Sequence, residues 1–168
     1  MKKFFLTFCF LTAALMPAVS QDKKAEREAA SLAAFEKALA TIETKDFVII
    51  VDSYETGGIF ETITDVAIFF SYEKEFAYLQ GKILTGNDNT NKLTVSDFNQ
   101  VTDKKGNVKV SMQGKGFFIN AKIEISLKKT GGSKADVIIT PTKGDVKRFS
   151  GEVVPKAQSK YFKRPGEI

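Results

Sequence analysis

The sequence predicts an α+β domain, in which one N-terminal helix packs on a curled antiparallel β-meander of about eight strands that resembles an open barrel. Three observations support this fold class. Apolar residues recur with a helical period near the N-terminus and with a period of two from residue 46 onward. Glycine-containing turns separate the predicted strands, and the connections are too short for parallel crossovers. The length of 168 residues suits one domain.

The first residues have the three parts of a secretory leader. Two lysines precede an uncharged apolar stretch at residues 4–16, and small side chains follow at Ala18 and Ser20. The apolar stretch is shorter than the ~20 residues of a membrane-spanning helix, and signal peptidase accepts small side chains at such positions. We therefore predict a signal peptide at residues 1–20, cleavage near Ser20, and a periplasmic or secreted location.

Two alternatives to a cleavable leader stay open, namely a retained anchor and a lipoprotein modified at Cys9. Lipid attachment takes a small residue directly before the cysteine, where this sequence has Phe8. Removing residues 1–20 takes away two lysines, no acids and the only cysteine, so the net charge falls from +5 to +3. The exported domain then has no disulfide, and its stability comes from burial alone.

Residues 21–45 are predicted to form the helix. Its bulky apolar side chains follow one another at spacings of three and four, which places them on one stripe: Leu32, Phe35, Leu39 and Ile42. Such a stripe needs an apolar surface, and the concave side or the mouth of the sheet is the obvious one.

Residues 46–155 are predicted to form the antiparallel sheet. Residues 47–51 are continuously apolar, which is typical of a strand covered on both faces, whereas residues 117–127 alternate between apolar and polar and predict one buried face. Phe98 breaks the alternation of its strand and suggests a bulge. Residues 156–168 are basic and polar, and we expect them to form a loosely held tail.

Three short segments resemble a known family. They are residues 45–49, residues 103–107 with a Lys-Lys-Gly turn, and residues 149–153 with Gly151 between Ser150 and Glu152. Their order and spacing resemble the exported Bacteroidota proteins of domain-of-unknown-function family 4251. The resemblance implies export and a helix-plus-meander fold. It implies no catalytic residues, because the family has no established activity.

The composition excludes several chemistries. The chain has no histidine and its single cysteine lies in the predicted leader. Ser-His-Asp and Cys-His catalysis in their usual forms, His-containing zinc sites, thiol nucleophiles and iron–sulfur clusters are therefore excluded for the exported domain. Nucleotide-binding glycine motifs are also missing. We accordingly expect no cofactor and no enzyme activity.

The preferred function is a non-enzymatic binding or interaction module of the cell envelope, with an unknown small ligand or envelope protein as partner. A pocket between helix and sheet is the candidate site. Its expected lining is Phe35, Phe70, Phe117 and Ile119, which in the simpler alternative form plain core.

The functional alternative is a carboxylate-based hydrolase acting on glycans or envelope polymers. Such an enzyme needs two carboxyl groups facing a substrate at a set separation. No pair stands out among the acidic residues in or near the predicted strands, and each suits a solvated outer face: Asp65, Glu73, Asp97, Glu124 and Asp136.

Two weaker signals remain. Asn87, Asn89 and Asn91 alternate as calcium ligands do, but Lys92 replaces the glycine of such a loop, so a polar hairpin is favoured and no metal is predicted. In the tail, four cations surround Tyr161-Phe162 and suit peripheral membrane or partner contact: Lys156, Lys160, Lys163 and Arg164. The alternative is a solvated tail. Export makes nucleic acid an excluded partner.

Overall fold

The computed structural model describes residues 18–168, the side chains of residues 18–22 excepted, so most of the predicted signal peptide lies outside the described residues. A long helix precedes nine strands, with a short helix between the fourth and fifth strands and a 3₁₀ turn after the last. The elements are α1 (Ala18–Glu43), β1 (Asp46–Thr56), β2 (Ile59–Thr62), β3 (Phe69–Glu73), β4 (Phe76–Gln80), α2 (Lys82–Thr85), β5 (Thr90–Thr102), β6 (Val108–Gly116), β7 (Asn120–Leu127), β8 (Lys134–Pro141), β9 (Lys147–Pro155) and the 3₁₀ turn Lys156–Gln158.

The strands form one antiparallel sheet that closes into a barrel. Their order is β2-β1-β3-β4-β5-β6-β7-β8-β9, and β1 also pairs with β9. Eight strands therefore make the barrel, and β2 is an extra strand that forms a hairpin with the second half of β1. The predicted α+β meander is confirmed, and pairing of its first and last strands leaves few free edges.

Gly151 lies at the seam where the barrel closes. It faces Val51 across the β1–β9 pairing. A Cβ at this position would collide with the carbonyl oxygen of Ile50. Closing the sheet therefore requires glycine there, which gives a physical reason for the glycine in the third family-like segment.

The barrel interior holds the core. In β7, Ala121, Ile123, Ile125 and Leu127 are buried and their neighbours are less so, as the alternation predicts. The predicted bulge at Phe98 is confirmed, because the β5–β6 register shifts between residues 96 and 99.

The alternation of residues 117–127 begins later than predicted. The backbone N–H of Gly116 donates to the carbonyl oxygen of Ile119 at 2.9 Å, which turns the chain back before β7 starts at Asn120. Phe117 is consequently exposed at the tip of this turn. Its predicted burial is wrong because a tight turn occupies the position where the strand was expected to begin.

Helix α1 lies across the barrel end at which β1 begins, here called the helix end. Phe35, Ala38 and Ile42 join the core, whereas Leu32 is exposed. The Ser31 hydroxyl donates to a carbonyl of the β7–β8 turn at 3.2 Å. Within residues 18–168, no helix combines the length and apolar character needed to cross a membrane. The opposite end of the barrel, with the β1–β2, β4–β5, β6–β7 and β8–β9 connections, is the far rim.

The tail, residues 156–168, packs on the outer face of β1, β3 and β4. The Tyr161 ring meets Phe69 edge-on, with centroids 4.7 Å apart, and a second apolar cluster forms there around Val48 and Tyr78. The expected loose tail is therefore wrong. The strand at residues 47–51 is covered on both faces, as predicted, and the tail is its outer cover.

Candidate functional site

The four residues predicted to line a pocket do not meet in one. Phe35 and Phe70 are buried in the core, and Ile119 is partly buried against it. Phe117 is 84% exposed. Phe35 belongs to the helix end, whereas Phe117 and Ile119 belong to the far rim, one length of β7 away. Phe35 and Phe70 thus act as plain core.

The asparagine loop is held by its own amides. Asn87 donates to the Asn91 side-chain oxygen at 3.1 Å, and Asn91 donates to that of Asn87 at 3.0 Å. The Asn89 backbone N–H donates to the same Asn87 oxygen at 2.9 Å. Two of the oxygens that a cation would need are therefore engaged in hydrogen bonds. Elsewhere in the described part of the chain, no three His, Cys, Asp or Glu side chains gather as metal ligands would.

A largely buried carboxylate, that of Glu73, ties the tail to the barrel. Glu73 accepts hydrogen bonds from Lys156, from Lys163 at 2.8 Å, from Ser71 at 2.9 Å and from the Tyr161 hydroxyl at 3.1 Å. Burial by itself raises the pKa of Glu73, but the hydrogen bonds from both lysines and from Ser71 outweigh it, and the pKa lies below its ordinary value. We call Glu73 and these four partners the Glu73 cluster. All of the hydrogen-bond donors to this carboxylate come from the protein itself.

Three of the four tail cations have partners within the protein. Besides its bond to Glu73, the Lys163 ammonium lies 3.2 Å from the centroid of the Tyr78 ring. Arg164 donates to the backbone oxygen of Asp88 at 2.6 Å and to its carboxylate at 3.2 Å. Lys160 stays exposed. Tail contact with a membrane or partner remains a prediction, with Lys160 as its most accessible cation.

An open groove lies on the other side of β1, on the outer face of β8 and β9. Its volume is about 450 Å³. The β1–β2 hairpin contributes Phe60, whose half-exposed ring forms one wall, and β8 contributes Ile138. The side chains used below are Ser53, Phe60, Asp136, Ile138, Arg148 and Ser150, and this site is called the β8–β9 groove.

The polar groups of the β8–β9 groove follow the strand register. Asp136 is opposite Ser150, and Ser150 is opposite Ser53, so the three form a row across β8, β9 and β1. The Asp136 carboxylate accepts from Ser150 at 2.9 Å and from Lys128 at 2.9 Å. Burial by itself raises the pKa of Asp136, but the hydrogen bonds from Lys128 and Ser150 outweigh this effect. The pKa therefore lies below its ordinary value, and Asp136 is ionised at neutral pH.

Arg148 adds donors at the edge of the row. Its Nε lies 3.8 Å from the Glu55 carboxylate, and half of its side chain is exposed. A guanidinium has five N–H donors, so this single long ion pair leaves donors for a ligand. The arrangement can orient hydroxyl or carboxylate groups. Asp136 is the one carboxylate in the groove lining, whereas glycoside hydrolysis uses two.

The other four candidate carboxylates are engaged elsewhere or stand apart. Asp65 accepts from the Ala67 backbone at 2.8 Å, and Glu124 pairs with lysines at 2.8 and 3.2 Å. Asp97 is exposed in the β5 bulge with a φ of 55°. Glu73 is the centre of its own cluster. None of these four joins Asp136 in the groove.

Sequence reasoning named Asp136 but missed the groove around it. One usable signal was Ile138, an apolar residue on the outward phase of β8 next to Asp136. An outward isoleucine between polar neighbours indicates cover or contact on that face. Phe60 carried no such signal, because its approach to β8 depends on the path of the β1–β2 hairpin.

No protein-family model and no curated protein matches the chain. Its structure is similar to the crystal structure of a DUF4251 family protein from Bacteroides eggerthii, with a TM-score of 0.67 and 26% sequence identity. The similarity covers 79% of this chain and 94% of that one. It confirms the family resemblance noted in the sequence and supports a Bacteroidota origin.

Proposed function

Starting from this resemblance to the DUF4251 family, we propose that the protein is an exported, non-enzymatic binding module of the cell envelope. Its β8–β9 groove binds sugar units of envelope glycans. The observation that carries the proposal is the meeting of an exposed aromatic wall with a row of hydrogen-bonding groups in one open groove. Ligand sites commonly combine apolar walls with a few placed polar groups.

The chemistry of the groove suits a sugar ring. Such a ring has an apolar C–H face, which packs on an aromatic side chain such as Phe60, and a rim of hydroxyls. The ionised Asp136 accepts hydrogen bonds from hydroxyls, and Arg148 donates to ring or carboxylate oxygens. An open groove also admits a unit within a longer polymer, which an enclosed cavity does not.

A binding role without catalysis is supported by the side chains at the site. The groove lining contains one carboxylate, and the chain has no histidine to act as a general base. The Ser150 hydroxyl donates a hydrogen bond to Asp136, and neither a histidine nor a second carboxylate is there to activate it as a nucleophile. These observations favour recognition of a glycan over its hydrolysis.

Export is supported by the leader-like residues 1–20. Chains that fold in an oxidising compartment without disulfides rely on burial, and the continuous barrel core provides it. N-terminal sequencing of protein purified from its own envelope is expected to begin near Gln21. A first residue of Met1 contradicts export by cleavage.

The binding claim is tested by titration calorimetry with a panel of neutral, N-acetylated and acidic oligosaccharides, using protein purified from the producing cells. We expect saturable binding of at least one oligosaccharide, weakened about tenfold, or ~1.4 kcal/mol, by Phe60→Ala and by Asp136→Asn. Ile59→Ala is the matched control, because Ile59 is more exposed than Phe60 on the same hairpin and does not line the groove.

Two outcomes contradict the proposal. If no oligosaccharide of the panel binds, or if Ile59→Ala weakens binding as much as Phe60→Ala, the β8–β9 groove is not the glycan site. Mass spectrometry of the oligosaccharide after incubation is expected to show an unchanged chain length. Shortened products that disappear with Asp136→Asn establish a hydrolase instead.

A further inference from the structure

The turn between β6 and β7 exposes two large aromatic side chains at the far rim. Phe117 is 84% exposed and Phe118 is 61% exposed. Their rings meet edge-to-face with centroids 4.7 Å apart. Large apolar side chains that project together from a surface mark a contact site more often than isolated ones do.

Hydrogen bonds hold this turn in place. The Gly116 N–H donates to the Ile119 carbonyl at 2.9 Å, and the Thr142 N–H, from the β8–β9 turn, donates to the Asn120 carbonyl at 2.8 Å. The two phenyl rings therefore project from a braced hairpin, and a partner does not have to order this loop before binding it.

The charges around the two rings are mainly positive. Lys115 precedes the turn on β6, and Lys143 lies beside Phe118 on the β8–β9 turn. Both are exposed, and among the described residues neither forms a salt bridge, unlike Lys156 and Lys163 of the tail.

One acid, Asp145, shares the β8–β9 turn with Lys143, and Lys147 follows it at the start of β9. Residues 115–118 and 141–147, which form these two turns and their flanks, thus contain three lysines and one acid. A pair of apolar side chains flanked by cations is complementary to a lipid surface, in which an apolar interior lies beneath anionic headgroups.

We propose that this tip docks the protein on anionic phospholipid bilayers, with Phe117 and Phe118 entering the boundary between headgroups and acyl chains. Lys115 and Lys143 contact the headgroup phosphates. Interfacial anchors combine these same two parts, an apolar portion buried by about 5–10 Å and cations at the headgroup level. The proposal is independent of the glycan groove, which uses other residues.

A bilayer fits the tip better than a second copy of the chain. Two copies meeting tip to tip bring their lysines together, and like charges at an interface oppose association. The rings also form a projecting wedge, which needs a deformable partner, and the acyl boundary of a membrane is deformable.

The test is co-sedimentation of the protein with vesicles of phosphatidylcholine alone and of phosphatidylcholine with phosphatidylglycerol at about 3:1. We expect binding to the anionic vesicles, weaker binding to the neutral ones, and a decrease with added salt. Phe117→Ser with Phe118→Ser, and separately Lys115→Glu with Lys143→Glu, are each expected to lower the partition coefficient about tenfold.

Two matched controls separate the tip from general charge and general apolarity. Lys104→Glu with Lys105→Glu makes the same change of charge at the β5–β6 turn, which is at the helix end. Val101→Ser removes an exposed apolar side chain from β5. Both controls, and Lys160→Glu in the tail, are expected to bind as the unchanged protein does, and circular dichroism checks the fold of every variant.

Three results overturn the proposal. They are unchanged vesicle binding by the double phenylalanine variant, an equal loss in the Lys104/Lys105 control, and a loss confined to Lys160→Glu, which assigns binding to the tail. Sedimentation velocity without vesicles tests whether a second copy of the chain binds the tip instead. A dimer of the unchanged protein that the phenylalanine variant abolishes makes the tip a contact between copies.

Discussion

The outer face of the barrel has a hydrogen-bonded carboxylate on each side of β1, and the two differ in how far the rest of the chain covers them. On the β3 side, Glu73 is held by two tail lysines and by Tyr161, and its side chain is 12% exposed. On the β9 side, Asp136 is held by Lys128 and Ser150, and its side chain is 48% exposed. The tail covers the first cluster and leaves the second as an open groove.

The difference separates a structural carboxylate from an available one. In the Glu73 cluster, groups of the protein itself occupy the carboxylate oxygens, so these hydrogen bonds stabilise the packed tail. The row at Asp136 keeps accessible oxygen atoms beside an aromatic wall, so these oxygens can accept hydrogen bonds from a ligand. Perturbed carboxylates occur in both functional sites and structural networks, and here the cover decides between the two roles.

The largest expected effect comes from the seam that joins the two sides. Gly151→Ala places a methyl group against the Ile50 carbonyl, and we expect it to lower the free energy of unfolding by about 4 kcal/mol or more. Ser150→Ala, the adjacent control, loses one hydrogen bond and is expected to cost about 1 kcal/mol. Urea denaturation measures both. A Gly151→Ala protein within ~1 kcal/mol of the unchanged one would mean that the seam is not closed as described.

The covered side is tested next, through two adjacent aromatic residues of the tail. Tyr161→Ala removes the ring packed on Phe69 and one hydrogen bond to Glu73, and we expect a loss of about 3 kcal/mol in unfolding free energy. Phe162 is exposed and contributes its backbone oxygen, which accepts from Gln80 and survives substitution. Phe162→Ala is expected to cost under ~0.5 kcal/mol. Equal losses for the two variants contradict a packed tail.

The pH dependence of stability is expected to report mainly on Glu73. Its pKa in the folded protein lies below the ordinary value of 4.5. The folded state therefore binds the proton less tightly than the unfolded state does. The resulting stability is complete above pH 4.5 and is lost as the pH falls through the lowered folded-state pKa.

The pKa of Asp136 is also lowered, but its greater exposure weakens its coupling to folding. Urea denaturation at a series of pH values between neutrality and strong acid measures the two contributions. We expect Glu73→Gln to flatten the acid loss of stability more than Asp136→Asn does. The reverse order contradicts the assignment of the covered cluster as the structural one.

The smallest expected effect on stability belongs to the open groove. Asp136→Asn is expected to change the free energy of unfolding by less than about 1 kcal/mol, because exposed ion pairs contribute little. The same variant is expected to weaken oligosaccharide binding. This combination would distinguish the groove, as a binding site, from the Glu73 cluster, as a structural network. A large loss of stability with unchanged oligosaccharide binding would contradict the binding role and would mean that Asp136 is a structural residue.

The contrast between local and long-range contacts explains which predictions were right. Alternation along β7 and the bulge at Phe98 are properties of single strands, and both were predicted. The continuous apolar run at residues 47–51 also predicted an outer cover, but the tail was expected to be loose, because its composition is polar. One of its anchors, the hydrogen bond from Tyr161 to Glu73, joins residues 88 positions apart, and no local pattern indicates such a contact.

The candidate sites show the same limit. Phe117 continues the alternation of β7 in sequence, but the hydrogen bond from Gly116 to Ile119 places a turn at this position. Phe117 therefore lies in the turn before β7 and is exposed. The groove depends on Phe60 approaching the row at Asp136, and these two residues belong to β2 and β8. Each site is formed by residues from different strands, so its geometry follows from closure of the sheet.

By itself, the sequence determined that a helix precedes an antiparallel meander, that one strand is buried on both faces, and that histidine and disulfide chemistry are excluded. These properties follow from composition and from periods of two and 3.6 residues, which act over a few neighbouring positions. The tertiary structure alone decided that the sheet closes at Gly151, that the tail covers Glu73, and that Asp136 stays open. Those outcomes depend on contacts between residues far apart in the chain, whose energies appear only once the barrel has formed.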